Sequence, residues 1–174
     1  MPISNRRIVT CNPAGPFPQL VQIPAFDQAW QLVYSCEKHT QEPTAIALLV
    51  FYAEWSFKFG DQEGKLWAAF NKIFIDWTPA DKVGNAYDVT GNPVRNVRFG
   101  GLTLTSTIIW VQPTVGMPIC KTSLVHELVH IALWNLLPQS EGDADHEGLK
   151  YPGWTSAHSV FIQKVNNHLC SLGI

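Results

Sequence analysis

Charged residues are scarce in this sequence. Twelve lysines and arginines and 14 aspartates and glutamates make up 15% of 174 residues, which leaves a formal net charge of −2. This balance disfavours a dedicated nucleic-acid binder, because such proteins need a basic face to neutralise phosphates. The longest apolar run covers only residues 45–53, far fewer than the roughly 20 residues that cross a bilayer. We therefore expect neither nucleic acid nor a membrane as a partner.

The sequence also lacks the pattern of a signal peptide and any closely spaced pair of cysteines. We expect no cleavable signal peptide, because Arg6 and Arg7 are followed by a segment rich in proline and glycine instead of an apolar run. The expected location is the cytoplasm, or outside the cell by a route that leaves no such signal. The four cysteines contain no Cys-x-x-Cys pair, which excludes a zinc ribbon and a thioredoxin-like redox site. We expect buried free thiols, with one disulfide as the alternative, at Cys11, Cys36, Cys120 and Cys170.

Apolar residues, by contrast, are plentiful at 46% of the sequence, with seven tryptophans and nine phenylalanines. They supply enough surface for one buried core, and the length suits one domain. Prolines cluster in the first part of the chain and predict an irregular segment there. We accordingly divide the chain into an irregular N-terminal segment at residues 1–24 and one domain at residues 25–174.

The first half of the domain contains four segments with patterns of regular structure. A helix is expected from Pro24 toward His39, with the proline in its first turn. Residues 44–59 are apolar almost throughout, so periodicity does not separate a strand from a buried helix. Residues 72–77 and 102–111 are rich in β-branched and aromatic residues and predict two strands.

Two helices are expected in the second half. The first covers residues 124–137, with Thr122 or Ser123 as its cap, and the second covers residues 154–169. Strands that precede the main helix indicate an α+β domain. We expect a small mixed or antiparallel sheet packed on a central helix at 124–137, followed by the C-terminal helix.

The run His126-Glu127-Leu-Val-His130 carries the strongest chemical information in the sequence. Residues four apart share one face of a helix, so both histidines can bind one zinc ion, Zn²⁺. Glu127 then lies where its carboxylate can activate a zinc-bound water for attack on a carbonyl. This pattern is typical of a zinc metallopeptidase. A hydrogen-bonded cluster in the core is the alternative.

A catalytic zinc needs a third protein ligand. We favour His146, in a polar loop that can fold back under the helix, and keep His158 or a loop carboxylate as the alternative. His158 or Tyr151 could instead donate a hydrogen bond to the tetrahedral intermediate. Asp143 and Asp145 could orient a ligand imidazole as hydrogen-bond acceptors.

Several segments resemble zincin-type metallopeptidases, and most closely their SprT-like branch. The resemblance is carried by residues 75–78 (Ile-Asp-Trp-Thr), 102–110, 123–133, 143–148 (Asp-Ala-Asp-His-Glu-Gly) and 165–166. It implies a zincin-like fold, zinc peptidase chemistry and an edge strand that an extended peptide can pair with. It also implies that the third zinc ligand is a histidine in the loop before the last helix.

That histidine corresponds to His146. In such proteins an aromatic residue follows the third histidine closely, whereas Trp154 stands eight positions after His146. Phe161 stands three positions after His158, which keeps His158 as the alternative ligand. The chain has no basic or zinc-ribbon extension, so we do not expect the DNA-linked role that some family members have.

The sequence thus predicts a zinc-dependent hydrolase, with an endopeptidase that acts on polypeptides as the leading hypothesis. A binding module that zinc stabilises without catalysis is the first alternative. A zinc peptidase that acts as a toxin or effector is the second. Nothing in the sequence indicates the cleavage preference or the oligomeric state.

Overall fold

The computed structural model describes residues 18–33, 41–87, 93–114, 116–143, 146 and 153–174. These residues form a small α+β domain with four helices and two sheets. The helices are α1 (Gln41–Lys58), α2 (Lys65–Phe70), α3 (Leu124–Leu136) and α4 (Ser156–Ser171). The strands are β1 (Gln19–Gln22), β2 (Trp30–Val33), β3 (Phe74–Asp76), β4 (Val83–Tyr87), β5 (Pro93–Arg98), β6 (Gly101–Thr103) and β7 (Ile108–Val111).

The larger sheet has five strands in the order β1-β2-β3-β7-β6. Its middle strands are parallel, with Gln31 opposite Ile75 and Ile75 opposite Ile109. The two outer pairs are antiparallel. Among the described strands, none pairs with the outer edge of β6, which is therefore one border of the sheet.

Helix α3 lies in the centre of the domain. Every residue from Leu124 to Leu133 except His126 is buried. A helix that is apolar around most of its circumference belongs in the interior. Full burial of Leu128 and Val129 stabilises the fold by about 1.5–3 kcal/mol for each side chain. The helix contacts β6 and β7 as well as α1, α2 and α4, so its histidines are held by a packed scaffold.

Aromatic side chains connect the other helices behind α3. The ring of Phe51 on α1 is stacked on Trp55 at 5.6 Å and meets Phe161 of α4 edge-on at 5.4 Å. Phe70 of α2 lies 5.8 Å from Phe51. The apolar segment at 44–59, which periodicity left open between strand and buried helix, therefore forms helix α1, which buries one face and exposes Phe57 on the other.

The helix predicted from Pro24 toward His39 is wrong over its described part. The chain forms the β1–β2 hairpin instead, with Ala25 at φ 70° and a bond from the Ile23 N–H to the Ala29 carbonyl of 2.9 Å. Pairing of Trp30 with Phe74 of β3 outweighs the local helical pattern. The predicted boundary at residue 24 is wrong as well, because β1 belongs to the main sheet. The remainder of that prediction, from residue 34 on, lies outside the described residues.

The strand predicted at 102–111 is two strands with a turn between them. Oγ1 of Thr105 accepts the backbone N–H groups of Thr107 and Ile108 at 3.2 and 3.1 Å. Threonine thus stabilises the turn locally, although it also favours strands. The predicted strand at 72–77 is confirmed as β3, and the two predicted late helices are confirmed as α3 and α4.

The expectation of free thiols is wrong for two cysteines. Cys120 and Cys170 form a disulfide, with their Cα atoms 5.4 Å apart. It ties the 3₁₀ turn that precedes α3 to the last turn of α4, and its partners are 50 residues apart in sequence. Cys11 and Cys36 lie outside the described residues. None of the described helices has the length and apolar character needed to cross a membrane.

Candidate metal and catalytic site

Helix α3 presents His126, His130 and Trp134 one turn apart on a single face. The Nε2 atoms of the two histidines lie 3.2 Å from each other. The spacing of four residues sets this approach, because successive turns of a helix place such side chains one above the other. The sequence prediction that both imidazoles point the same way is therefore confirmed.

His146 reaches the same point from the loop after α3. Its Nε2 atom lies 3.2 Å from that of His126 and 2.9 Å from that of His130. The loop turns back through left-handed conformations at Glu141, Gly142 and Asp143, with φ of 47°, 81° and 52°. The His146 N–H donates to the Asp143 carbonyl at 3.0 Å.

The three imidazoles fit a metal ion. Nitrogen atoms on one tetrahedral zinc stand about 3.3 Å apart, given Zn–N bonds of about 2.0–2.1 Å. The observed separations of 2.9 to 3.2 Å are close to this value. His126, His130 and His146 could thus hold one ion, although imidazole also suits copper, iron and nickel.

The proton positions also suit a metal. Nδ1 of His130 is hydrogen-bonded to the carbonyl oxygen of Gly142. A carbonyl only accepts, so Nδ1 carries the proton and the lone pair of Nε2 faces His126 and His146. Such a backbone contact is a common way to orient a ligand histidine.

Burial keeps the imidazoles of His126 and His130 neutral. Loss of hydration, with the nearby His146 as the second cause, lowers the pKa of His126 to about 4. Loss of hydration lowers the pKa of His130 to about 3, with His126 as the second cause. Both rings therefore offer free lone pairs at neutral pH, which metal binding requires.

The ring system of Trp154 packs against all three histidines. The centre of its ring system lies 5.2, 5.0 and 4.7 Å from those of His126, His130 and His146. Its backbone N–H donates to Oδ2 of Asp143. The Asp143 carboxylate thus helps to fix the loop that carries His146; the sequence suggested that it orients an imidazole.

Gly142 has no room for a side chain. A Cβ atom there would lie 3.1 Å from Cε3 of Trp134 and 3.2 Å from the carbonyl oxygen of His130. Its φ of 81° disfavours other residues as well. Only glycine therefore brings its carbonyl oxygen to His130 without strain.

Glu127 is buried, with 4% of its surface exposed. Burial raises its pKa to about 8, and hydrogen bonds from Thr103 oppose the rise. Oγ1 of Thr103 lies 2.9 Å from Oε2 of Glu127 and 3.2 Å from its backbone carbonyl oxygen. Two residues earlier on β6, a Cβ atom on Gly101 would lie 2.6 Å from Oε1 of Glu127. The Glu127 carboxylate thus packs against strand β6, between Gly101 and Thr103.

An open cavity of about 260 Å³ adjoins the histidines and Glu127. Strand β6 forms one side, and α3 with Trp134 forms another. Residues Asn85, Ala86 and Phe99 of the β4–β5 region form a third side. The cavity gives an external molecule access to the histidine cluster.

His158 does not join the cluster of His126, His130 and His146. Its Nδ1 atom accepts the backbone N–H of Thr155 at 2.9 Å and so caps α4. Its ring is stacked on Phe59 at 4.7 Å and on Trp55 at 5.5 Å, and burial lowers its pKa. It is not part of the group of described residues that could hold a metal. Tyr151 and Asp145 lie outside the described residues.

Sequence reasoning missed Thr103, Gly101, Gly142 and Trp154. Thr103 and Gly101 act through contacts with Glu127, more than 20 residues away in sequence, whereas Gly142 and Trp154 act through the path of the loop after α3. Comparison of the chain with models of protein families, with curated proteins and with solved structures gives no significant match. A function must therefore be inferred from the chemistry of the site.

Proposed function

We propose that this chain is a zinc-dependent endopeptidase of the zincin type. His126, His130 and His146 would hold the ion, and Glu127 would be the general base. The observation that carries the proposal is the convergence of three Nε2 atoms within 3.2 Å of one another beside an open cavity that Glu127 also lines.

The donor set supports a catalytic zinc. Three imidazoles without a thiolate are one of the ligand sets that leave a tetrahedral zinc with one open position. A bound zinc ion supplies Lewis acidity, which polarises a substrate carbonyl and makes a coordinated water more acidic. Within the described residues no fourth side chain joins the three histidines, and this favours catalysis over a binding module in which zinc is fully enclosed.

Glu127 has the environment of a general acid and base. Its carboxylate lines the cavity, and its pKa of about 8 is well above the usual value of 4.5. A pKa near the working pH favours transfer of a proton in both directions. Glu127 would accept a proton from the water that attacks the peptide carbonyl and then donate it to the departing amine.

The shape of the cleft supports a polypeptide substrate. Strand β6 borders both the sheet and the cavity. The unpaired backbone groups of an edge strand can bind an extended peptide as a further strand. The peptide would then pass in front of the histidines with its backbone aligned along β6.

Hydrolysis of an unfolded protein tests the proposal. The zinc-loaded chain should degrade casein, and Glu127→Gln should abolish the cleavage while it retains zinc and the thermal unfolding temperature. Glu63→Gln is a matched control, because that side chain is 82% exposed, and it should leave the rate unchanged. Cleavage by Glu127→Gln would contradict the role of Glu127. Absence of cleavage by a fully zinc-loaded chain would favour the binding module.

A further inference from the structure

The cleft has a wall that is separate from the main sheet. Between β3 and β6 the chain forms the antiparallel pair β4–β5. Exposure alternates along β4, where Val83 and Asn85 are exposed and Gly84 and Ala86 are half-buried. The half-buried residues therefore face the domain, because successive side chains of a strand point to opposite sides.

Phe99 covers Gly84 on this inner face. Its backbone N–H donates to the Lys82 carbonyl at 3.0 Å, which fixes the chain just after β5. A Cβ atom on Gly84 would lie 2.6 Å from Cε2 of Phe99 and 3.1 Å from its Cζ. The ring can therefore approach β4 this closely only because residue 84 is glycine.

The opposite wall is also apolar. Trp134 lies one turn of α3 beyond His130, and Leu102 stands on β6. Together with Ala86 and Phe99 they line the cavity next to the histidines. Its described lining residues include the carboxyl groups of Glu127 and Glu141 but no lysine or arginine. An acidic side chain of a substrate would therefore find no lysine or arginine to pair with among these residues.

The size of the cavity limits what it accepts. Its volume of about 260 Å³ is below the range of about 300–1,000 Å³ for pockets that hold a whole drug-sized ligand. It can thus take one or two residues of an extended chain. With apolar walls, the main favourable contribution to the free energy of binding comes from burial of a large apolar side chain of the peptide.

We propose that this cavity is a specificity pocket for a leucine- or phenylalanine-sized side chain next to the cleaved bond. Phe99 and Trp134 form its apolar walls, and Gly84 fixes the position of Phe99. This inference rests on the proposed peptidase function and adds its substrate class: extended peptides with a large apolar residue beside the scissile bond.

Cleavage of matched peptides tests the pocket. The peptides differ at one position beside the scissile bond, which carries leucine, phenylalanine, alanine or aspartate. The zinc-loaded chain should cleave the leucine and phenylalanine peptides at least tenfold faster in kcat/KM than the others. Phe99→Ala removes one wall and should reduce this ratio to about threefold or less. Gly84→Ala displaces the Phe99 ring and should reduce it as well.

Val83→Ala is the control, because that side chain is 49% exposed on the outer face of β4, and the ratio should not change. Peptide binding to zinc-loaded Glu127→Gln, measured by calorimetry, separates this proposal from the proposed function. If no peptide is cleaved but the apolar peptides bind at least tenfold more tightly in a Phe99-dependent way, the pocket is correct and the peptidase is not. Equal cleavage and equal binding of all four peptides would overturn the proposal of the pocket, as would a preference that Phe99→Ala leaves intact.

Discussion

The hydroxyl group of Thr103 lies 2.9 Å from Oε2 of Glu127 and 3.2 Å from the backbone carbonyl oxygen of the same residue. Edge strand β6 is thus joined to α3 at the proposed general base. The contact restricts the carboxylate, while Gly101 on the same strand leaves space for it. The residue that would move the proton is therefore positioned by the strand that would bind the substrate.

Thr103→Val should lower kcat by about tenfold to a hundredfold, because a small displacement of a catalytic group is costly. The KM for a peptide and the zinc content should change little, since neither depends on the hydroxyl group. Thr103→Ser keeps the hydroxyl group and should restore most of the activity. Steady-state kinetics and elemental analysis of the three proteins make the comparison. Equal activity of the valine and serine variants would contradict the positioning role.

Gly142→Ala should weaken zinc binding. The added Cβ would crowd Trp134 and the carbonyl oxygen of His130 at 3.1 and 3.2 Å, which displaces the acceptor of the His130 Nδ1–H. Loss of such an orienting contact typically costs about tenfold to a hundredfold in metal affinity. Competition with a chromophoric chelator measures the effect.

Gly60→Ala is the matched control for this measurement. Gly60 has a similar φ of 85°, but a Cβ atom there would meet nothing within 4 Å. The two variants share the strain of a left-handed alanine, and only Gly142→Ala disturbs the histidines. Equal zinc affinity in both variants would show that the crowding at His130 has no effect on the metal.

The metal-free protein should be most stable near pH 6.5. In the folded chain the pKa values of His126 and His130 are about 4 and about 3. Below pH 6.5 the unfolded chain therefore binds protons at these histidines that the folded chain does not bind. The stability of the fold accordingly falls on acidification. Above pH 6.5 stability falls toward pH 8, because the folded Glu127, with a pKa of about 8, holds a proton that the unfolded chain has already lost.

Urea unfolding of the metal-free chain between pH 4 and pH 9 measures both limbs of this dependence. Glu127→Gln should remove most of the decline between pH 6.5 and pH 8 and leave the acid limb. His130→Phe should reduce the acid limb instead. Stability that rises steadily from pH 6.5 to pH 8 in the unmodified chain would be inconsistent with a buried, protonated Glu127.

Local pattern was sufficient to predict the centre of this molecule. Helix α3 and the common face of His126 and His130 follow from the spacing of apolar residues and of the histidines along one helix. That His146 lies with them was predicted from its place in a loop that can fold back and from the resemblance to zincins. Their role as zinc ligands stays a prediction.

The contacts that complete the site depend on residues far apart in the chain. Thr103 and Glu127 are separated by 24 residues, and nothing near Thr103 in sequence indicates the contact. The helix predicted from Pro24 failed because pairing with β3, more than 40 residues later, decided the local conformation. The Cys120–Cys170 disulfide has no local pattern either.

The zinc content of the purified chain tests the central claim most directly. Elemental analysis should find about one zinc per chain, and His126→Ala and His146→Ala should each lose it. His158→Phe, which keeps the aromatic stacking on Phe59, and His168→Ala, at an exposed position on α4, should retain it. A chain that binds no zinc even after reconstitution, or zinc that persists in His146→Ala and is lost in His158→Phe, would contradict the account.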